Sequence, residues 1–110
     1  FDCDNTLVMW PDDFKINKFG RIKFTYGDED VFLVPHSFHP VFLKNCFKRG
    51  DYIVVWSQNG FAWAKQVVEK LGLENYVDIV MNKPSRHIDD KENLEEIVGN
   101  RVYLPHKENK

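Results

Sequence analysis

The feature that most constrains this chain is a switch of hydrophobic period that repeats along its second half. In VFLKNCFKRG, Phe42, Leu43, Cys46 and Phe47 fall on one helical face and Gly50 supplies a stop. DYIVVW follows, a β-branched and aromatic run bounded by turn residues, which predicts a buried strand ending at Ser57. FAWAKQVVEKLG returns to helical spacing through Ala64, Val67, Val68 and Leu71, with Gly72 just past its end. YVDIVM reads as a strand, a short RHI segment precedes Asp89, ENLEEIV reads as a helix stopped by Gly99, and RVYL as a last strand. Strand and helix in strict turn imply an α/β fold: a Rossmann-like three-layer sandwich with a mostly parallel five-stranded sheet, binding ligands at the carboxyl ends of its strands.

The first half fits the same scheme. FDCDNTL reads as the end of a first strand, and a strand ending at Asp2 needs residues before it, so the sequence predicts that strand residues precede Phe1. Residues 11–20 are mixed in character and read as irregular connection. From Arg21 the pattern alternates: Ile22, Phe24 and Tyr26 share a face, GDED makes a turn and VFLV follows, which predicts a β-hairpin over about 21–34. Such a hairpin either covers core or forms a flap over a site, and in a chain with no room for a cap the expectation is a small flap over about 21–34. At 110 residues the chain has room for one core and therefore one domain. A formal net charge of −2 gives no global case for nucleic-acid binding, and no apolar run is long enough to cross a bilayer. Cys3 and Cys46 make neither a disulfide framework nor a zinc spacing, which favours a reducing, cytoplasmic setting.

Polar residues gather where the predicted strands end. The first delivers Asp2 and Asp4, the next Ser57, the next Lys83, and the fourth the pair Asp89 and Asp90. Carboxylates at the end of a buried strand lose hydration and repel one another, so they are kept where they share a cation, a proton or a reaction. A carboxylate cluster of this kind is a hard oxygen site suited to Mg²⁺, and a lysine and a hydroxyl beside it suit a phosphoryl group.

In these residues the sequence resembles the haloacid dehalogenase superfamily of aspartyl phosphatases and phosphotransferases, as a small capless member. The family's DxDxT is matched by Asp2, Asp4 and Thr6, its strand ending in Ser or Thr by YIVVWSQNG at Ser57, its lysine by Lys83-Pro84, and its acidic pair by Asp89-Asp90. The resemblance runs from Phe1 to about Leu104. It implies a Mg²⁺-dependent phosphomonoester hydrolase with Asp2 as nucleophile and Asp4 as general acid and base. It also implies Mg²⁺ held by Asp2, the Asp4 main-chain carbonyl and Asp89 or Asp90. Ser57 would bind a phosphoryl oxygen, with Gln58 and main-chain N–H groups at the start of the next helix beside it. Lys83 would pair with nucleophile and phosphate, and Thr6 would brace the loop. Asn5 stands where many relatives have glycine, a mild departure because asparagine tolerates left-handed geometry best after glycine.

No interval is long enough for a large cap, so the implied partner is a phosphorylated substrate, small or bulky, with a nucleotide or polynucleotide end as the narrower alternative and a non-catalytic binding module as the contrasting one. Lys15, Lys18, Arg21 and Lys23 precede the hairpin turn and read first as a solvated face. Phe61 and Trp63 follow Ser57 closely enough to stack on a base or aromatic group but read first as core, and His36, His39, His87 and His106, without metal-ligand spacing, read as structural or surface residues.

Overall fold

The computed structural model describes residues 1–86 together with Ile88 and Asp90. The expected ENLEEIV helix and RVYL strand lie outside the described residues, as do Asp89, His87 and His106.

The hairpin forms as its alternation demands. Strand β2 (Ile22–Tyr26) and strand β3 (Glu29–Pro35) pair antiparallel, with Phe24 opposite Val31 and Tyr26 opposite Glu29. The turn between them narrows to two residues, Gly27 and Asp28, and Gly27 sits at φ 65°, where a side chain other than glycine is strained. A short strand β1 (Val8–Met9) adds to the other edge of β3, pairing Val8 with Pro35, so the sheet has three strands in the order β1-β3-β2. Helix α1 (His39–Lys48) buries His39, Leu43 and Cys46 and stops before Gly50, which takes φ 97°. Strand β4 (Val54–Ser57) leads into helix α2 (Phe61–Lys70), which buries Trp63, Ala64, Val67 and Val68. A 3-10 turn at Glu74–Tyr76 follows, then strand β5 (Ile79–Asn82), parallel to β4 with Ser57 opposite Asn82.

This corrects the expected architecture. The described residues form a three-stranded antiparallel sheet and a two-stranded parallel one with two α-helices, not a mostly parallel five-stranded sandwich. The hairpin strands pair with β1 in a sheet of their own, and the opening residues add only one parallel rung beside β4. Phe1 makes two hydrogen bonds typical of a parallel rung, from its N to the Val54 carbonyl (2.6 Å) and from Trp56 N to its own carbonyl (3.0 Å). Two residues later the Cys3 carbonyl accepts three N–H groups, from Thr6, Leu7 and Val8, and the chain turns back rather than running on along β4. It then joins the hairpin, whose pairing is antiparallel.

One core serves both sheets. Phe24, Val31 and Leu33 from the hairpin, Leu7 and Val8 from the opening turn, Leu43 from α1, Val55 from β4 and Val67 from α2 are all essentially inaccessible. Each such aliphatic or aromatic side chain stabilises the fold by about 1.5–3 kcal/mol relative to exposure, so the hairpin is part of the core and not an appended flap. Its outer face remains exposed at Lys23 and Thr25. Trp63 is core as expected, whereas Phe61, half-exposed on the first turn of α2, is not. No helix among the described residues is long and apolar enough to cross a membrane.

Candidate active site

The opening turn aims two carboxylates the same way. With three donors on the Cys3 carbonyl and Asn5 N bonded to the Val8 carbonyl (2.7 Å), residues 3–8 close into a tight loop. Asn5 takes φ 58°, the left-handed geometry that asparagine tolerates, and its side-chain oxygen accepts Trp10 N at 3.3 Å. None of the loop's backbone hydrogen bonds goes to the Asp4 carbonyl. Cys3, between the two aspartates, is fully buried, and its thiol is pushed up to about 12 by burial first and then by the charges of Asp4 and Asp2. It therefore stays protonated and does not compete as a nucleophile.

The loop is anchored from behind by two histidines. His39 Nδ1 lies 2.6 Å from the Thr6 carbonyl, and the His39 ring stacks on His36 with centroids 3.6 Å apart and planes within 1°. His36 Nδ1 accepts the backbone N–H groups of Phe38 (3.1 Å) and His39 (3.0 Å), satisfying donors at the start of α1 that no cap side chain of Phe38 can reach. Both histidines are buried.

The second contribution comes from the ends of β4 and β5. The Ser57 carbonyl accepts Lys83 N (2.9 Å) and Gly60 N (3.1 Å), which ties the residue after β5 and the turn before α2 to one atom. The Ser57 hydroxyl is inaccessible and accepts Asn59 N at 3.0 Å. Gly60 closes the turn at φ 101° and ψ 172°, a region open in practice only to glycine.

Between these parts lies an open cleft of about 490 Å³, lined by Asp2, Asp4, Asn5, Trp10, Tyr26, Gln58 and Asn59. Asp4 stands in it under close control. Its Oδ1 accepts the indole N–H of Trp10 (2.8 Å) and of Trp63 (3.1 Å), and its Oδ2 accepts Asn59 Nδ2 (2.9 Å), with the Ser57 hydroxyl at 3.4 Å. A second cleft of about 430 Å³ adjoins it across Tyr26 and Asn59, between the hairpin tip and α2.

Of the residues singled out in the sequence, Asp2, Asp4 and Gln58 thus share one cleft, Ser57 lies beneath its floor, and Lys83 follows β5 beside Ser57. Thr6 belongs to the opening turn and offers its carbonyl to His39. Asp90 is exposed, and Asp89 lies outside the described residues. Trp10, Trp63, Asn59 and Tyr26 were not anticipated at the site. The sequence signal for Asn59 and Trp63 was their closeness to Ser57; Trp10 and Tyr26 carried none. The four cations before the hairpin turn are engaged with carboxylates of the same arm: Lys15 with Glu29, Lys18 and Arg21 with Asp13, Lys23 with Asp30. These pairs hold the Asp13 carboxyl down at about 2, through Lys18 first and Arg21 next.

Among the described residues no group of three or more His, Cys, Asp or Glu side chains is arranged to hold a metal ion. The Asp2 carboxylate and the Asp4 carbonyl are nonetheless hard oxygen donors of the kind Mg²⁺ takes, and one acidic residue of the expected set is outside the description. Comparison with protein-family models, with curated proteins and with solved structures finds no match to this chain.

Proposed function

We propose that this chain is a phosphomonoester hydrolase of the haloacid dehalogenase type, working through an aspartyl-phosphate on Asp2. The observation that carries the reading is the pairing of Asp2 with a restrained Asp4 in one open cleft, beside the end of β4 and the start of α2. An Asp2 carboxylate oxygen attacks phosphorus, the bond from phosphorus to the ester oxygen breaks, and Asp4 gives its proton to the departing alkoxide. Asp4 then takes a proton from water as the water oxygen attacks phosphorus, and the Asp2 carboxylate is released with inorganic phosphate. Lys83, the turn at Gln58 and the N-terminus of α2 supply positive potential for the phosphoryl oxygens. Mg²⁺ would be held by Asp2, the Asp4 carbonyl and Asp89 or Asp90, and would offset the repulsion between a carboxylate and a phosphate dianion.

The narrower reading, a polynucleotide end, keeps the exposed Phe61 ring beside the turn but loses the free cations of the arm, which are paired with carboxylates. A small or moderately bulky monoester fits better, since the second cleft carries no charged lining residue. The test is hydrolysis of an aryl phosphate and of a panel of sugar and nucleoside monophosphates, with and without Mg²⁺, by wild type and Asp2→Asn. Metal-dependent turnover by wild type and none by the variant supports the reading. A folded wild type as inactive as the variant on every ester contradicts it and leaves the binding module.

A further inference from the structure

Asp4 is held by more donors than a carboxylate needs in order to stay put, and two of them are indoles, one from just beyond the opening turn and one from α2. Trp10 enters from the end of β1 and Trp63 from the first turn of α2, and both N–H groups converge on Oδ1 at 2.8 and 3.1 Å. An indole N–H donates and never accepts, so neither group can turn over to receive a hydrogen from the acid. With both donors in place Oδ1 has no room for a proton. At Oδ2 the fixed donor is Asn59 Nδ2, whose amide is oriented by the Tyr26 hydroxyl donating to Asn59 Oδ1 at 3.3 Å. The Ser57 contact there is long, at 3.4 Å.

The rings cannot swing away. Trp10 packs edge-on to Phe14 and Tyr26 with centroids 5.2 Å apart in each case, Trp63 packs on Phe24 (5.5 Å) and Tyr26 (5.3 Å), and the two indoles lie 5.9 Å apart. Contacts of this kind hold each donor's direction at little entropic cost.

Resting on the phosphatase reading above, we propose that Trp10 and Trp63 are positioning residues for the general acid: they close Oδ1 to the proton, so that Oδ2 alone carries it to the leaving group. The site is thereby built for esters of unactivated alcohols, whose alkoxides cannot leave unprotonated, rather than for activated aryl or acyl phosphates. Acid–base assistance is worth about 10²–10⁴-fold where the leaving group needs it and little where it does not.

The experiment compares dinitrophenyl phosphate with the best alkyl ester from a panel of glycerol, ribose and nucleoside monophosphates. Trp10→Phe, which keeps the ring contacts and deletes the N–H, is expected to lower kcat/KM on the alkyl ester by about tenfold or more while changing kcat/KM on dinitrophenyl phosphate, which reports only the first step, by less than about twofold. In an Asp4→Asn background the same substitution is expected to cost nothing further, because the residue through which it acts is gone. Trp63→Phe serves as a second variant, and thermal unfolding monitors the fold of each. Equal losses on both esters, no loss on either, full additivity with Asp4→Asn, or a wild type that cleaves only the activated ester overturns the proposal while leaving the phosphatase reading standing. A wild type inactive on every ester, activated or not, overturns both.

Discussion

At the scale of single residues, the candidate site depends on two backbone positions that tolerate little change. Gly60 ends the turn after β4 at φ 101° and ψ 172°, and a Cβ there would also approach Asn82 Oδ1 to 3.6 Å. The contact is ordinary, so the cost of Gly60→Ala comes from the backbone, about 1–3 kcal/mol, and should appear as a lowered midpoint in urea with an unchanged slope. Asn5, at φ 58°, was legible in advance because asparagine is a known substitute for glycine in left-handed geometry. The donors on Asp4 were not. Trp10, Asn59 and Trp63 stand 6, 55 and 59 residues from it along the chain, and no local pattern encodes convergence of that range. The histidines are an intermediate case: His36 and His39 have the spacing of a helix start, but their stacking follows from packing.

At the scale of elements, the hairpin meets α2 through the packing of Trp63 on Phe24 and Tyr26 and through a hydrogen-bonded clasp from Gln66. The Gln66 amide oxygen accepts Thr25 N at 2.8 Å and its nitrogen donates to the Thr25 carbonyl at 2.9 Å, as a neighbouring strand would. Gln66→Ala should therefore cost about 1–2 kcal/mol, the net worth of two exposed hydrogen bonds, and should raise amide exchange at Thr25 well above that at core positions of β2 such as Phe24. A stability loss without that local change would mean the clasp is incidental. The arm before the hairpin makes a pH prediction. Asp13 is depressed to about 2 by Lys18 and Arg21, below its value in an unfolded chain, so its pairs contribute in full above the ordinary carboxylate range. That contribution fades as pH falls from about 4 towards 2, and salt weakens it because the group is solvent-accessible. NMR titration of the Asp13 carboxyl should show the low midpoint in wild type and a return towards the ordinary value in Lys18→Met. An unchanged midpoint in the variant would remove Lys18 as the leading cause. The periodic elements α1, α2, β2, β3, β4 and β5 were legible from spacing. Strand β1 was not, since two residues, Val8 and Met9, are too few to show a period.

At the scale of the molecule, an antiparallel sheet and a parallel pair share one core, and the proposed site lies where the opening turn meets the ends of β4 and β5. The expected parallel sandwich gives way because the hairpin forms a sheet of its own with β1, while beside β4 and β5 the opening residues contribute a single parallel rung at Phe1 before the chain turns at Cys3. Of the polar residues expected at strand ends, Asp2 and Asp4 line the cleft, Ser57 reaches Asp4 only at 3.4 Å from a buried position, Lys83 is tied to Ser57 through the backbone, and Asp89 lies outside the described residues. On the proposed mechanism, chelating divalent cations with EDTA should abolish ester hydrolysis and added Mg²⁺ should restore it, while circular dichroism stays unchanged. Full activity in EDTA would remove the metal from the account.

The most direct measurement is of the covalent intermediate. Asp4→Asn, lacking the base for the second step, is incubated with an activated aryl phosphate and Mg²⁺, quenched in acid and digested for mass spectrometry. The account predicts a phosphoryl group on the peptide containing Asp2, released by hydroxylamine and absent from Asp2→Asn. Aryl alcohol released by this folded variant with no phosphoryl group on Asp2, or with one on another residue, would contradict it.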